Sequence, residues 1–272
     1  MRKAYVVIAV LLTLLVVGLS EAAYAADSAE ETTKVGKSTY FTLGYKIWNN
    51  TWQTPFNSYP AEGGANIMNI TSESVAAPII SASLKISDWL IAGSIMNTPD
   101  YKFPDYSDVL DLGSGTASYF TFRTTASRKE QDINVGYYVA PAVALTIGMK
   151  QVKQTYNDLD PVTNALYGSS TTKYSGPIIG VTGGGSIGGD FAFYGNLSYG
   201  YLKGEFEGDP NTFSAIYSST ELGLAYRPIK FLSIMLGYKY QTIDSKLNDP
   251  AFDKQVALDV TKGTILGVNL TF

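Results

Sequence analysis

The sequence predicts an all-β protein: a single antiparallel, up-and-down transmembrane β-barrel of about ten strands, with eight or twelve strands as alternatives. Three observations support this prediction. In the last nine residues, Leu266, Val268, Leu270 and Phe272 recur with a period of two, which places them on one face of a strand. Similar segments recur along the chain, separated by alternately short and long connections. The chain also begins with the features of a secretory signal peptide.

The first 25 residues have the parts of a signal peptide for secretion. Arg2 and Lys3 give a positively charged start, residues 4–19 are mostly apolar, and Ala23 and Ala25 form a small-x-small cleavage motif. The apolar run of sixteen residues is shorter than the roughly 20 residues that a membrane-spanning helix needs, which favours cleavage over an uncleaved anchor. The predicted organisation is a cleaved signal peptide over residues 1–25, a periplasmic lead-in over 26–37 and the barrel over 38–272.

Composition excludes several kinds of chemistry. The chain has no cysteine and no histidine, so it cannot form disulfides, cysteine- or histidine-ligated metal sites, or a serine–histidine catalytic pair. Without residues 1–25 it carries 18 basic and 23 acidic residues, a net charge of −5, which does not favour a nucleic-acid partner. Carboxylate-only catalysis and calcium binding by loop carboxylates are compatible with this composition, but nothing in the spacing suggests either. We expect no catalytic residues, no cofactor, no metal site and no nucleic-acid binding.

Ten segments alternate between apolar and polar residues, as strands do. In the fourth segment, for example, Ile133 and Val135 alternate with Asp132 and Asn134. The facing of the third and sixth segments is ambiguous, and Pro78 predicts a bulge in the second because proline cannot donate to a ladder. The segments cover about 40–47, 78–87, 90–96, 132–139, 143–150, 171–182, 191–201, 216–226, 232–241 and 256–272.

The connections alternate between turns and loops, so both termini of the barrel fall on the short-turn side. The glycine-rich segment 183–189 is expected to be a flexible turn. Within 97–130, the strand-like segment 119–123 indicates either a strand that continues above the membrane or an added hairpin. We predict turns at 87–89, 140–142, 183–190 and 227–230, and loops at 49–71, 97–130, 156–170, 205–211 and 242–255. Residues near Asp88, Pro141, Gly185 and Pro228 should then be periplasmic, and those near Gly63, Asp105, Leu159, Asp209 and Asp249 should be outside the cell.

The chain resembles small bacterial outer-membrane β-barrel proteins, a class that includes porins. The resemblance rests on the signal peptide, the rhythm of strands and connections, and a final strand that ends on the aromatic Phe272. It implies insertion into the outer membrane of a Gram-negative bacterium, contact with its lipid and lipopolysaccharide, and recognition of Phe272 by the barrel-assembly machinery as an insertion signal. No motif identifies a narrower family. A soluble lipocalin-like or jelly-roll protein is the alternative fold, since alternation alone does not distinguish the two.

In a membrane barrel the apolar faces meet lipid and the polar faces meet the lumen. Folding the chain about the turn at 140–142 brings Asp132 opposite Lys150, so we predict that they form an ion pair inside the barrel. Two interpretations of the lumen stay open: a hydrogen-bonded plug, or a narrow polar channel. The predicted lumen residues are Lys46, Lys85, Asp132, Asn134, Lys150, Asn196, Glu221 and Lys239.

The functional prediction is a narrow porin-like channel for small solutes or ions. The alternative is a closed structural or surface-interaction barrel that acts through its extracellular loops. The long connections carry an excess of carboxylates, which would give a channel a weak cation preference that declines as salt rises. None of these carboxylates occurs in the spacing of an EF-hand calcium loop.

Overall fold

The computed structural model describes residues 39–58, 66–111, 117–246 and 257–272. The predicted signal peptide and lead-in lie outside the described residues, as do the predicted loop positions Gly63 and Asp249. The described residues contain no helix that is long and apolar enough to cross a membrane. Their strands are β1 (Thr39–Ser58), β2 (Asn66–Thr71), β3 (Val75–Ile86), β4 (Trp89–Asn97), β5 (Tyr101–Lys102), β6 (Tyr106–Asp111), β7 (Ala117–Ala140), β8 (Val143–Leu159), β9 (Leu166–Gly188), β10 (Phe191–Phe206), β11 (Thr212–Ile229), β12 (Leu232–Lys246) and β13 (Ala257–Thr271).

Ten of these strands close into one antiparallel barrel. They follow each other round the wall in the order β1, β3, β4, β7, β8, β9, β10, β11, β12 and β13, and β13 pairs with β1. The closing pair stays in register from Thr42, opposite Thr271, to Gln53, opposite Val260. The predicted up-and-down barrel of ten strands is confirmed.

The strands continue well beyond the length that a membrane requires. β7 has 24 residues and β9 has 23, whereas about ten tilted residues span a bilayer. The additional length lies at the end with the long connections, where β2 pairs with β1, and β5 and β6 pair with β7. We call this part the extension. We call the opposite end the short-turn end; its turns are at 87–88, 141–142, 189–190 and 230–231.

Two predicted loops contain strands of the extension. The prediction of a loop over 49–71 is wrong, because β1 continues to Ser58 and β2 pairs back against it. Region 97–130 combines both alternatives: β6 and the first part of β7 form a hairpin, and β7 then continues as a strand of the barrel wall. The predicted strands are too short because the outward-facing residues become polar above the apolar band. Gln131 and Lys129 on β7 are examples. The alternation in polarity then disappears although the strand continues.

The bulge predicted at Pro78 is wrong. Pro78 lies opposite Ile47 in an uninterrupted β1–β3 register. The β3–β4 ladder reaches only to Ile79. Pro78 therefore has a paired strand on one side only, and a proline, which lacks an N–H group, is tolerated at such a position.

The flexible turn predicted at 183–189 is also wrong. Residues 183–188 belong to β9, and the turn consists of Gly189, which has a φ of 57°, and Asp190. A Cβ atom on Gly184 would lie 2.6 Å from the carbonyl oxygen of Phe193 on the neighbouring strand. This glycine therefore allows close approach between strands rather than flexibility.

The outer face of the wall is an apolar band with aromatic side chains at both edges. At the short-turn edge, the rings of Trp89 and Tyr137 meet edge-on with centroids 5.2 Å apart. The ambiguous third segment, β4, turns Ile91 and Ile95 outward, and the sixth, β9, turns Ile179 outward. This arrangement is that of a transmembrane barrel and the reverse of a soluble one. The opposite edge of the band carries Tyr199, Tyr201, Tyr238 and Tyr240.

Candidate functional site

A layer of ion-paired side chains lies buried inside the lumen. The guanidinium Nε of Arg128 donates to Glu130 Oε1 at 2.6 Å, and Lys150 Nζ donates to Glu130 Oε2 at 2.7 Å. Lys150 Nζ also donates to Asp132 Oδ1 at 2.9 Å, and Gln241 Nε2 donates to Glu130 Oε1 at 2.7 Å. All of these residues except Asp132 are at most 3% exposed. We call the five residues the ionic layer.

Strand geometry explains how the ionic layer assembles. Alternate residues of β7 face the lumen, so Arg128, Glu130 and Asp132 follow one another along its inner face. β8 places Lys150 directly opposite Asp132, and the predicted pair between them is confirmed. Arg128 Nη1 reaches Thr261 on β13, to which it donates at 3.1 Å. Since β7 and β13 are four places apart in a ring of ten strands, the Arg128 side chain crosses the lumen.

Aromatic packing continues the buried interior into the extension. The ring of Trp52 lies 5.2 Å from that of Tyr101 and 5.2 Å from that of Tyr156. Asp259 accepts hydrogen bonds from Trp52 Nε1 at 3.3 Å and from Gln154 Nε2 at 3.1 Å. A second buried cluster lies against another part of the wall and consists of Val152, Tyr174, Ile178, Leu202, Phe213, Ala215, Tyr217 and Ile243.

On the short-turn side of the ionic layer, the lumen contains a cavity of about 370 Å³. Two of the eight predicted lumen residues, Lys150 and Lys85, do not line this cavity directly. Lys150 belongs to the ionic layer, and the Nζ atom of Lys85 lies 4.3 Å from the ring centroid of Tyr138, which does line the cavity. The structure thus brings all eight predicted residues to the inside of the barrel. The six that line the cavity are Lys46, Asp132, Asn134, Asn196, Glu221 and Lys239.

The cations of the cavity differ in their partners. Lys46 Nζ forms an ion pair with Glu221 Oε1 at 2.7 Å. Lys239 Nζ instead lies 4.7 Å from the ring centroid of Trp48. Among the residues that the structure describes, no carboxylate is within ion-pair distance of Lys239 or Lys85. The short-turn half of the lumen therefore has excess positive charge.

Sequence reasoning missed four central residues of the buried interior, namely Arg128, Glu130, Gln241 and Asp259. The available signal was the two-residue period of a strand. Glu130 and Arg128 precede the predicted lumen residue Asp132 by two and four positions, so in a longer strand all three side chains would lie on the same face. The signal was hidden because the outward-facing residues between them, Lys129 and Gln131, are polar as well.

The connections of the extension contain their own polar structure. Asp160 Oδ1 accepts hydrogen bonds from the backbone N–H groups of Val162 at 2.8 Å and Thr163 at 2.7 Å, and the other carboxylate oxygen accepts from the Tyr167 hydroxyl. These hydrogen bonds, that of Tyr167 first, lower the pKa of Asp160 to about 2. Within the described part of the chain, no group of three or more acidic side chains is arranged to hold a metal ion.

Comparison with known proteins identifies a fold but no family. No family model and no curated protein matches the chain. Among solved structures, the outer membrane protease OmpT from Escherichia coli aligns over 86% of this chain and 97% of its own, with 14% identity and a TM-score of 0.59. The beta domain of the Bordetella autotransporter BrkA aligns over 86% and 98%, with 6% identity and a TM-score of 0.41. Neisserial surface protein A aligns over 86% and 97%, with 11% identity and a TM-score of 0.34. The similarity to OmpT shows that the chain has the fold of bacterial outer-membrane β-barrel proteins.

Proposed function

We propose that this protein is an integral barrel of the Gram-negative outer membrane, that its lumen is closed to solutes, and that it acts through the extension, which projects outside the cell. The observation that carries the proposal is the ionic layer. Glu130 and Lys150 are buried inside the lumen, and Arg128 crosses it. A solute path would have to break these buried ion pairs, and removing one partner of such a pair costs roughly 3–5 kcal/mol.

Lipopolysaccharide is the proposed lipid partner. A row of outward-facing lysines supports this proposal. Lys129 on β7 lies opposite Lys153 on β8, which lies opposite Lys173 on β9. Like charges directly opposite one another destabilise a sheet. Glu207 lies 3.8 Å from Lys153 and 3.1 Å from Lys173, whereas no described carboxylate pairs with Lys129. The row faces outward beyond the apolar band, where phosphate groups of the outer leaflet would neutralise it.

Orientation is tested by cysteine labelling, because the natural chain has no cysteine. Asp209, in the connection between β10 and β11, should be outside the cell, and Asp88, in the turn between β3 and β4, should be periplasmic. With a membrane-impermeant maleimide, Asp209→Cys should label on intact cells and Asp88→Cys only after the outer membrane is permeabilised. The opposite pattern would refute the proposed orientation.

The barrel-assembly machinery is the proposed partner during insertion, with Phe272 as the residue that it reads. The Phe272 side chain is 68% exposed, while its backbone N–H donates to the Phe41 carbonyl at 2.8 Å. Its ring is therefore free for recognition although its backbone is part of the closing ladder. Phe272→Ala should lower the amount of folded barrel in the outer membrane. Equal insertion of Phe272→Ala and the natural chain would argue against this role.

A narrow porin-like channel is the second candidate function. The polar cavity favours it, because charged and amide side chains already line half of the lumen. Conduction would require the ionic layer to open. Liposome swelling distinguishes the two functions: a closed barrel should admit L-arabinose no faster than protein-free liposomes, whereas a channel should admit it faster.

We propose no catalytic activity. OmpT is named as a protease, but at 14% identity the similarity shows the fold alone. The absence of histidine removes every mechanism that uses an imidazole base.

A further inference from the structure

The lysines in and beside the cavity carry more positive charge than the carboxylates that line it neutralise. Glu221 is paired with Lys46 at 2.7 Å, and Asp132 is paired with Lys150 of the ionic layer at 2.9 Å. Lys239 and Lys85 rest on aromatic rings, and no described carboxylate is within ion-pair distance of either. Lys239 lines the cavity, and Lys85 lies beside it over Tyr138. Glu221 is opposite Lys239 in the β11–β12 register, but its carboxylate is bonded to Lys46. Two cations without an ion-pair partner therefore act on this space, which favours an anion as its occupant.

The walls of the cavity are rich in small hydrogen-bonding groups. Ser81 and Ser83 on β3, Asn134 on β7 and Ser219 on β11 all line it. Hydroxyl and amide groups can both donate and accept hydrogen bonds. They therefore suit a ligand that carries several hydroxyl groups in addition to its negative charge.

The cavity is closed toward the extension and is reached from the short-turn end. On the extension side, Lys150 and Trp48 are both 0% exposed. On the other side, Asn196 lines the cavity and is exposed to solvent, and Lys85 stands over Tyr138 near the short turns. A ligand would pass Lys85 before it reached Lys239.

We infer that this cavity is a binding site for a small hydroxylated anion, of the sugar-phosphate or hydroxy-acid class, that enters from the short-turn end. Its volume of about 370 Å³ lies within the range of small-molecule sites. Lys239 neutralises the anionic group, and the serine and asparagine side chains bind the hydroxyl groups. The site is independent of the proposed role of the extension.

Calorimetric titration in a non-ionic detergent tests the site, with glucose 6-phosphate as the probe and glucose as its uncharged counterpart. Glucose 6-phosphate should bind saturably at one site, and glucose should not. Lys239→Gln should weaken binding about tenfold or more, whereas Lys203→Gln, on the outer face of β10, should leave it unchanged. The inference is overturned if glucose binds equally well, if glucose 6-phosphate does not saturate, or if Lys239→Gln has no effect.

A second measurement locates the site and remains possible if Lys239→Gln does not fold. The cysteine of the Ser83→Cys variant should react faster with an anionic methanethiosulfonate, which carries a sulfonate, than with its cationic trimethylammonium analogue. Glucose 6-phosphate should slow both reactions. In Lys85→Gln the advantage of the anionic reagent should fall by about threefold. Faster reaction with the cationic reagent, or no protection by glucose 6-phosphate, would overturn the inference.

Discussion

The same ring of ten strands encloses two different interiors on either side of Asp132. Toward the extension, large side chains such as Trp52, Tyr101 and Arg128 fill the lumen, and the buried charges are ion-paired or hydrogen-bonded. Toward the short turns, small side chains such as Ser81 and Ser83 leave a cavity, and two lysines have no carboxylate partner. Strand number is equal in the two halves, so the volume of the inward-facing side chains decides whether this barrel is open or filled.

The largest effect should come from removing the central carboxylate of the filled half. Glu130 accepts hydrogen bonds from Arg128, Lys150 and Gln241. Glu130→Gln removes the carboxylate partner of buried Arg128 and one of the two carboxylate partners of buried Lys150, and it should lower the free energy of unfolding by roughly 3–5 kcal/mol. Equilibrium urea unfolding in lipid vesicles, followed by tryptophan fluorescence, measures this loss.

The matched control is an exposed ion pair of the extension. Arg123 and Asp105 form a pair at 3.0 Å with side chains 37% and 40% exposed, and Asp105→Asn should cost less than about 1 kcal/mol. If Glu130→Gln costs as little as Asp105→Asn, the ionic layer does not hold the filled half together.

A smaller effect is expected at the border between the halves. Asp132 and Lys150 are directly opposite each other, and their coupling in a double-mutant cycle of Asp132→Ala and Lys150→Ala should be about 1 kcal/mol. The coupling stays modest because Lys150 keeps Glu130 as a second partner. If the loss of unfolding free energy in the double variant equals the sum of the losses in the two single variants, the pair contributes nothing to stability.

The smallest effect concerns the connection between β8 and β9, outside both halves of the lumen. The pKa of Asp160 is lowered to about 2, below the ordinary value near 3.9. Its hydrogen bonds therefore stabilise the connection fully above about pH 4, and this stabilisation is lost as the pH falls through about 2. An NMR titration of the Asp160 carboxyl carbon should have its midpoint near 2. A midpoint near 3.9 would show that the hydrogen bonds of Tyr167, Val162 and Thr163 do not hold in solution.

Sequence reasoning recovered the half of the barrel that lipid surrounds and missed most of the other half. Where lipid requires apolar outer faces, alternation identified the strands, although not the facing of the third and sixth, and it identified the pairing of Asp132 with Lys150. In the extension, water surrounds the wall, so the outer face is polar and the alternation that would identify Glu130 or Asp259 as lumen residues disappears. Whether the lumen is filled also depends on contacts between distant strands, such as Arg128 with Thr261, which no local pattern encodes.

Single-channel recording tests the central claim, that the filled half seals the barrel. Folded protein, verified by its gel mobility before and after heating, should leave a planar bilayer silent at moderate voltage, because the ionic layer blocks the lumen. Reproducible conductance steps with a weak cation preference, strengthened by replacing Lys46 and Lys239 with Gln, would contradict the sealed barrel and establish the narrow channel instead.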